Sequence, residues 1–368
     1  MKKRLQIILT IFLVCIIGCT NVQSNPTKSF TLSFINIGKG DAFLLDVPDD
    51  GFYLCDTGKR EDFARIARLL KLKNVDHIKG IFLSHGHLDH TGNIDALLKQ
   101  IKTDAVYISK KDDASYVRCP IRDIVQENGV KLIELEGGEH FNFHDLQVDI
   151  WLPDFVDYNN QNNNSMILYL TYGKTHFLMT GDMEVEEELL FLQDHPNLDC
   201  DVLKLGHHGE KDATSIELLQ AIKPKYGIIT GNKKENPQSV NKKIQNRLKD
   251  FQVQPYYSQG KQLAFDFISD KKKISIQEVD NPKAESDIVF KELNATEHTI
   301  TLYNESDQVV DLSDYGIRGK KEEAWLFIEK GTILPANECL SLAWTSSVEG
   351  SMNIYDASFQ KIDEKDWE

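Results

Sequence analysis

Three histidines and one aspartate lie within a span of six positions, and their side chains could bind a metal ion. An apolar run at residues 78–83 predicts a buried strand, which is followed by His85, His87, Asp89 and His90. In an extended segment, side chains two positions apart point to the same side, so His85, His87 and Asp89 could converge. Neutral imidazoles and carboxylates are ligands that Zn²⁺ or Mn²⁺ takes in proteins. The spacing therefore predicts a metal site at the end of a strand.

Two further apolar runs also end in residue types that bind metals. Asp182 follows the run at residues 177–181, and His207 and His208 follow the run at residues 202–206. Each of these features alone is common in turns or on protein surfaces. Taken together with the first cluster, they supply a bridging carboxylate and a further imidazole, which a two-metal hydrolytic site requires.

The elements that must position these residues alternate between strands and helices over residues 29–279, which we expect to form one large domain. Apolar spacing predicts helices at residues 62–72, 94–101, 121–127, 185–192, 216–222 and 240–248. Strands are predicted at residues 30–36, 42–47, 52–56, 105–109, 131–135, 147–152, 166–172, 175–179, 202–205 and 226–230. Hairpins occur beside crossovers, which favours two sheets packed face to face with helices outside.

The chain after this domain has a different pattern. A linker is predicted at residues 280–286, because they are polar and include Pro282. Residues 287–368 contain short alternating runs that predict strands, at residues 287–293, 299–303, 325–328 and 339–343. This part of the sequence holds no cluster of metal-binding residue types. We therefore expect a small all-β sandwich without chemistry of its own.

The first residues predict an export signal. A basic start precedes an apolar run at residues 5–17, which is too short to span a bilayer. The run ends in Gly-Cys, which resembles the lipobox of bacterial lipoproteins. The resemblance implies a signal peptide at residues 1–18, lipidation of Cys19 and a polar tether at residues 19–28. An extracytoplasmic protein anchored to the bacterial membrane is expected, and an ordinary secretory signal with a chance cysteine is the alternative.

Composition excludes some classes of protein and leaves others open. The formal net charge of −15 disfavours a generally basic surface for nucleic acid. A local basic groove remains compatible with this charge, and bound metal ions can themselves attract an anionic substrate. The cysteines after Cys19 have no CxxC spacing, so they form neither a zinc ribbon nor a disulfide-dense scaffold.

The motifs together resemble those of the metallo-β-lactamase superfamily. They are the HxHxDH run at residues 85–90, Asp56-Thr57-Gly58, Gly181-Asp182 and His207-His208-Gly209. Their order is similar to that in the extracytoplasmic hydrolase domain of ComEC-type competence proteins, which also matches residues 38–42, 162–168, 178–182 and 202–209. The resemblance implies an α/β fold, namely an αββα sandwich with metal ions at one edge between the two sheets.

The same resemblance implies how two divalent ions, Zn or Mn, would be held. His85 and His87 would bind one ion, and Asp89 and His90 would bind the other. Asp182 would bridge the two ions. A pair of divalent ions activates a water molecule and polarises the bond to be cleaved.

Further roles follow from the resemblance. His207 would complete the second metal site, and His208 is the less favoured ligand. Asp56 would bind no metal but would orient the ligand loop through hydrogen bonds. The catalytic set implied in this way is Asp89, Asp182 and His207.

The sequence departs from the superfamily pattern in two places. The usual third histidine of the first metal site is absent, and its place falls at residues 162–165, where Asn164 would be a weaker ligand. ComEC-type domains tend to have His-Pro in a later loop, where this chain has Asn236 before proline. Asn236 could still hydrogen-bond a phosphate or orient water. Lys233 in the same loop could contact an anion, and a solvated turn is the alternative.

Three segments of the last part, at residues 299–304, 310–315 and 331–335, are similar to lamin-tail domains. The resemblance implies an immunoglobulin-like β-sandwich that binds or positions an unknown surface partner.

The function expected from the whole sequence is a membrane-anchored, extracytoplasmic, metal-dependent hydrolase. By analogy with ComEC-type domains, it would be a phosphodiesterase or nuclease acting on DNA or another phosphodiester polymer. The alternatives are a phosphorylcholine esterase or a lactonase of the same fold. A non-catalytic surface-binding lipoprotein with a decayed site is the alternative from a different class, motivated by the two departures from the pattern.

Overall fold

The structure is a computed structural model. It describes residues 28–111, 120–281, 286–319, 325–344 and 350–366. The predicted signal peptide, Cys19 and all but the last residue of the predicted tether lie outside the described residues. Most of the predicted linker, residues 282–285, also lies outside them. Among the residues that are described, no helix is both long and apolar enough to cross a membrane.

The part of the chain up to residue 279 contains two β-sheets. Its strands are β1 (Phe30–Ile35), β2 (Ala42–Val47), β3 (Gly51–Thr57), β4 (His77–Phe82), β5 (Lys102–Thr103), β6 (Ala105–Ser109), β7 (Lys131–Leu135), β8 (His140–Phe143), β9 (Leu146–Trp151), β10 (Ile167–Tyr172), β11 (Thr175–Met179), β12 (Val202–Lys204), β13 (Tyr226–Ile229), β14 (Gln254–Tyr257), β15 (Ala264–Ser269) and β16 (Ile274–Val279). Within the described residues, the first sheet has the order β16-β15-β1-β2-β3-β4-β6-β7 with β5 beside β4, and the second has the order β14-β13-β12-β11-β10-β9-β8.

Helices cover the outer face of each sheet. They are α1 (Phe63–Leu72), α2 (Leu88–Thr91), α3 (Ile94–Gln100), α4 (Ile121–Glu127), α5 (Val185–Asp194), α6 (Ile216–Ile222) and α7 (Lys242–Asp250). Helices α1, α3 and α4 pack on the first sheet, and α5, α6 and α7 pack on the second. The inner faces of the two sheets share one core, in which Phe34 and Phe82 meet Leu170 and Phe177. The predicted αββα sandwich is confirmed.

Alternation along the strands explains this layering, because successive side chains point to opposite faces of a sheet. In β1, Leu32 and Phe34 belong to the core between the sheets, while Ile35 faces the helices on the outside. The parallel pairs β3–β4 and β11–β12 each end at the same edge of the sandwich. Residues that directly follow these strands are therefore brought to one place.

The last part of the chain is all-β, as predicted. Its strands are β17 (Ile288–Asn294), β18 (Thr299–Asn304), β19 (Val310–Asp311), β20 (Gly316–Gly319), β21 (Trp325–Phe327), β22 (Ile333–Leu334), β23 (Cys339–Ala343), β24 (Ser351–Tyr355) and β25 (Lys361–Asp366). They surround a separate apolar core that includes Ile300, Leu302, Ile317 and Ile354, which is consistent with a β-sandwich. Strands β19, β20, β22, β24 and β25 were not among the strands predicted from the sequence.

This β-sandwich packs against helix α1 of the larger part. The ring of Phe63 lies 5.4 Å from that of Trp325 and 5.6 Å from that of Phe359, measured between centroids. Arg68 donates a hydrogen bond of 2.8 Å to the Ser358 hydroxyl. Arg318 donates one of 2.6 Å to the Arg60 carbonyl oxygen. Apolar and polar contacts therefore join the two parts at α1.

Candidate metal centre

Buried histidines from both sheets meet around Asp182 at the edge where the strands end. The Oδ2 atom of Asp182 lies 3.2 Å from Nε2 of His90 and 3.1 Å from Nε2 of His208. Potential ligand atoms of His85, His90 and Asp182 all lie within 4.8 Å of one another. Asp89 reaches the same place, since its Oδ2 lies 3.4 Å from Nε2 of His208. The structure thus brings five side chains of metal-binding types together.

Local backbone geometry aims the HxHxDH residues at this place. His85 follows the end of β4, and its Nε2 lies 3.0 Å from Nδ1 of His87, so both rings face the same side as the spacing predicted. His87 is extended and directly precedes the short helix α2. The turn of α2 directs His90 back toward the strand end. His87 is partly exposed, whereas His85 and His90 are fully buried.

A glycine allows Asp182 to come this close. Gly181 has a φ of +51°, a backbone conformation in which a side chain is unfavourable. A Cβ atom at this position would lie 2.7 Å from the Ser165 hydroxyl oxygen and 3.0 Å from Cβ of Ser84. The Ser165 hydroxyl also accepts a hydrogen bond of 2.9 Å from the backbone N–H of Asp182. These contacts fix Asp182 between the two sheets.

Asp56 lies where the predicted bracing role needs it. Its carboxylate accepts hydrogen bonds of 2.7 Å from both the backbone N–H and the hydroxyl of Ser84. It also lies 2.9 Å from Nδ1 of His90, which leaves Nε2 of that ring facing Asp182. A carboxylate that holds the other ring nitrogen of a histidine is a common support for metal ligands.

The structure corrects the choice between the two adjacent histidines. His208 is fully buried and faces Asp182, whereas His207 points to a separate group. Nδ1 of His207 lies 3.0 Å from Asp212 and 3.4 Å from Glu184. Both histidines have positive φ values, 44° and 55°, so the simple alternation of a strand does not apply to them. His208 therefore takes the place that the sequence analysis gave to His207.

Two buried charged residues of the centre were given no role by the sequence analysis. The ammonium of Lys204 is fully buried and lies 2.6 Å from Asp41 and 3.3 Å from Asp182. Asp41 also lies 3.5 Å from His208 and 3.8 Å from His90. A lysine within the apolar strand β12 was the available signal, because lysine is almost never buried without a partner.

The amide and lysine candidates lie outside this centre. The side-chain amide of Asn164 accepts a hydrogen bond from the backbone N–H of Asp157 and donates one to the backbone carbonyl of the same residue. It is therefore not directed at the metal-binding residues. Asn236 donates a hydrogen bond of 2.8 Å to Glu210 and thereby braces its own loop. Lys233 is exposed on that loop. The Asn164 amide is therefore not placed as a metal ligand, whereas the substrate contacts suggested for Asn236 and Lys233 stay predictions.

Among the asparagines at residues 162–164, Asn162 points toward His207. Its amide nitrogen donates a hydrogen bond of 2.8 Å to Glu184 and lies 3.3 Å from Nε2 of His207. His207, Glu184 and Asp212 form a further group of potential ligands, which is partly exposed. Only the position of Asn162 within residues 162–165, the place of the missing third histidine, could have indicated it from the sequence.

The charged groups of the centre shift one another's pKa values. Burial alone would raise the pKa of Asp182, but the positive charges of His208, His90 and Lys204 outweigh it and hold that pKa well below its usual value. Burial alone would lower the pKa of His208, but the facing carboxylates, Asp182 foremost, raise it to about 9. Burial lowers the pKa of His85 well below its usual value, so this ring is neutral at pH 7.

The residues present fit a divalent cation. Nε2 of His90, Nε2 of His208 and Oδ1 of Asp41 are buried, and none has a hydrogen-bond partner among the described residues. Both nitrogens face the Asp182 carboxylate at 3.1–3.2 Å, and a cation held between them would be a partner for all of these atoms. Imidazole nitrogens and carboxylate oxygens directed at one point are the donor set that Zn²⁺ or Mn²⁺ takes.

A family comparison agrees with this geometry. The model of the metallo-β-lactamase superfamily matches residues 35–230, which is just over half of the chain. The chain belongs to the metallo-β-lactamase superfamily. The family resemblance drawn from the motifs is thereby confirmed, and members of this hydrolase superfamily normally bind divalent metal ions.

Relatives of this metallo-β-lactamase domain include a ComE operon protein and a competence protein. ComE operon protein 3 of Bacillus subtilis (strain 168) is 28% identical over 250 residues, which cover 63% of this chain and 31% of that protein. Competence protein ComA of Neisseria gonorrhoeae is 26% identical over 181 residues, which cover 49% of this chain and 24% of that protein. This chain thus spans a third or less of the length of either relative. Among solved structures, the metallo-β-lactamase fold protein YhfI of Bacillus subtilis aligns with 66% of this chain and all of its own, at 13% identity and a TM-score of 0.46.

We expect metal binding to this metallo-β-lactamase centre to release protons. His208 has a pKa of about 9 without metal and is protonated at pH 7, whereas a ligand must be the neutral imidazole. Lowering the pH from 8 to 6 should therefore weaken the apparent affinity by about a hundredfold for each proton displaced. Calorimetric titration in buffers of different ionisation enthalpy measures the number of protons released. A binding enthalpy that does not depend on the buffer would contradict the expected protonation of His208.

Proposed function

We propose that this chain is a metal-dependent phosphodiesterase or nuclease of ComEC type that acts outside the cytoplasm. The observation that carries the proposal is the position of Asp182, within 3.2 Å of His90 and 3.1 Å of His208, in a chain of the metallo-β-lactamase superfamily. A carboxylate shared by ligands from both sheets is suited to bridge two cations.

Two groups of side chains would hold two divalent ions, Zn or Mn. The first group is His85 and His87, the second is Asp89, His90 and His208, and Asp182 is shared. When bound, the ions supply water activation and charge stabilisation on the bond to be cleaved. Because the superfamily's usual third histidine is absent and Asn164 is turned away, the first group has fewer ligands than the second. We therefore propose that it binds its ion more weakly.

The other residues of the centre support these ligands. Lys204 offsets the negative charge of Asp41 and Asp182, which would otherwise repel each other in a buried site. Asp56 holds His90 with one ring nitrogen directed at Asp182. The ammonium of Lys39 lies 2.7 Å from Asp89 at the outer side of the centre, where a phosphate oxygen would approach. These positions favour an anionic substrate.

DNA or another phosphodiester polymer is the substrate class we propose. Its support is the similarity to ComE operon protein 3 over 63% of this chain and to competence protein ComA over 49%. Metal-reconstituted protein should hydrolyse bis-p-nitrophenyl phosphate and cleave DNA, and EDTA should abolish both activities. If the protein hydrolysed a phosphorylcholine ester or a lactone but no phosphodiester, the proposed substrate class would be wrong and that compound's class would take its place. Inactivity of the metal-loaded protein on all of these would favour the surface-binding alternative.

We further propose that the β-sandwich is lamin-tail-like and positions the hydrolase domain on a surface partner.

We also propose that the protein is anchored to the membrane through lipidated Cys19. Cys19→Ala is expected to release the protein from membranes or to leave it unprocessed, because the thiol carries the lipid. Fractionation of cells producing each form tests this. Equal retention of parent and variant in the membrane fraction would contradict the anchor.

A further inference from the structure

A carboxylate of this chain rests in a cradle of three nitrogen donors near the metal centre. Oε2 of Glu235 accepts hydrogen bonds of 3.2 Å from the backbone N–H of Lys39 and 2.6 Å from the ammonium of Lys59. Oε1 accepts one of 2.7 Å from the side-chain amide of Asn232. We name these three donors the anion cradle. A backbone N–H, a lysine and an amide are also the groups with which proteins bind phosphate oxygens.

The loop that supplies the backbone donor is shaped for a close approach. Gly38 has a φ of +83°, and a Cβ atom there would lie only 2.1 Å from Oε1 of Glu235. Any other residue at this position would therefore displace the carboxylate. Glycine at such a point lets an anionic group reach the backbone N–H beside it.

The anion cradle and the metal centre are continuous. Lys39 joins them, because its backbone N–H belongs to the cradle while its ammonium lies 2.7 Å from Asp89. A surface cavity of about 300 Å³ is lined by three cationic residues, two carboxylates and one leucine, namely Lys39, Lys59, Arg60, Glu61, Asp89 and Leu88. The Glu61 carboxylate lies 4.0 Å from the Lys59 ammonium. A ligand in this cavity would touch the outer side of the metal centre and the lysine of the cradle at once.

The Glu235 carboxylate is partly exposed, so an anion from solvent can compete for its donors. The side chains of Glu235 and Lys59 are 38% and 23% exposed, and ion pairs of this kind are weak because water screens them. A phosphodiester polymer carries several charges, so its neighbouring phosphates can compete for the same donors. With a net charge of −15, the chain needs such a local group of cations to bind a polyanion.

We propose that the anion cradle is a subsite for a phosphate group next to the scissile one, and that Glu235 occupies it until a polymeric substrate displaces it. The inference rests on the proposed phosphodiester substrate and deepens it, since it assigns a second phosphate contact and a built-in competitor. The alternative is that the Lys59–Glu235 pair only braces the loop.

Binding of a single-stranded oligonucleotide tests the subsite separately from catalysis. The probe is a fluorescein-labelled 12-mer with phosphorothioate linkages, measured by anisotropy with the full, metal-reconstituted chain, and its integrity is checked afterwards on a gel. Glu235→Gln should tighten binding severalfold, because the competing charge is removed. Lys59→Gln should weaken it about tenfold. In a plot of log affinity against log salt, the slope should flatten by about 0.7 for Lys59→Gln, the change expected for the loss of one phosphate contact to a single strand. The slope for Glu235→Gln should stay near that of the parent, because the parent already makes this contact once Glu235 is displaced.

Asp145→Asn is the matched control. It also removes one carboxylate paired with a lysine, Lys271 at 2.7 Å, but it precedes β9 at the opposite edge of the second sheet. Its affinity for the oligonucleotide should equal that of the parent. A second experiment adds inorganic phosphate as a competitor of the labelled oligonucleotide. It should compete only at a far higher concentration than unlabelled oligonucleotide does. Equal competition per phosphate would mean a site for free phosphate and would overturn the polymer subsite.

The subsite would be overturned in favour of the bracing role if Glu235→Gln bound the oligonucleotide no more tightly than the parent does. Weaker binding by Glu235→Gln, like that expected of Lys59→Gln, would have the same meaning. Absence of oligonucleotide binding by the parent would overturn it as well. Binding with the expected changes but no cleavage of any phosphodiester would overturn the proposed activity alone, so the two failures are distinguishable.

Discussion

Asp182→Ala is expected to remove both metal ions and to lower phosphodiester turnover by at least about two orders of magnitude. Among the described carboxylates, that of Asp182 alone belongs to one group of potential ligands with His85 and also lies beside Nε2 of His208. Its loss removes a ligand from both ions. Metal analysis after dialysis and turnover of bis-p-nitrophenyl phosphate measure the effect.

The design of this experiment follows from the neighbours of Asp182. Lys204 keeps Asp41 as a partner at 2.6 Å, so the substitution does not leave its buried ammonium unpaired, and thermal unfolding can verify that the variant is folded. Asp212→Ala is the matched control, because this carboxylate contacts His207 and lies outside the group around Asp182. It should retain both ions. Full metal occupancy in Asp182→Ala would show that Asp182 is not the bridge.

Replacing each of the adjacent histidines should have opposite outcomes. His208→Ala is expected to lose one ion and at least about two orders of magnitude of turnover, since it removes a buried ligand that faces Asp182. His207→Ala should retain both ions, because its ring contacts Asp212 and Glu184 instead. Metal content and turnover of the two variants are compared directly.

Each histidine serves as the control for the other, because both substitutions remove the same side chain from the same turn. If His207→Ala loses the ion and His208→Ala keeps it, the assignment made from the sequence is right and the one made from the structure is wrong. Equal loss in both would mean that the turn as a whole is needed to form the site.

Much of the fold could be predicted because its signals are local. Apolar runs of about six residues with turn residues between them indicated most of the strands, and helix α1 was visible from the spacing of Phe63, Ile66, Leu69 and Leu70. The HxHxDH run was equally local, because one strand end and one short helix position all four of its ligands. Strands β5, β8, β14, β15 and β16 were not predicted, although β15 and β16 form a regular antiparallel hairpin.

The rest of the site depends on geometry that a sequence does not display. Which of His207 and His208 faces Asp182 is decided by two consecutive residues with positive φ. Asp41 and Lys204 come from different sheets, and their ion pair exists only after the two sheets pack together. The direction of the Asn164 amide is set by the loop at Asp157. The Asp41–Lys204 ion pair is a long-range contact, and the other two features depend on backbone conformation in a turn and in a loop, so the spacing of residues specifies none of them.

The packing of the β-sandwich on α1 has a consequence for how the protein unfolds. Phe63 is 1% exposed, and it contacts Trp325 and Phe359 across the boundary between the two parts. We therefore expect the two parts to unfold as one cooperative unit, since separating them exposes an aromatic face of the part with the metallo-β-lactamase fold. A protein shortened to residue 279 would carry that face into solvent and would also lose the hydrogen bond from Arg318 to the Arg60 carbonyl, one residue from the lysine of the anion cradle.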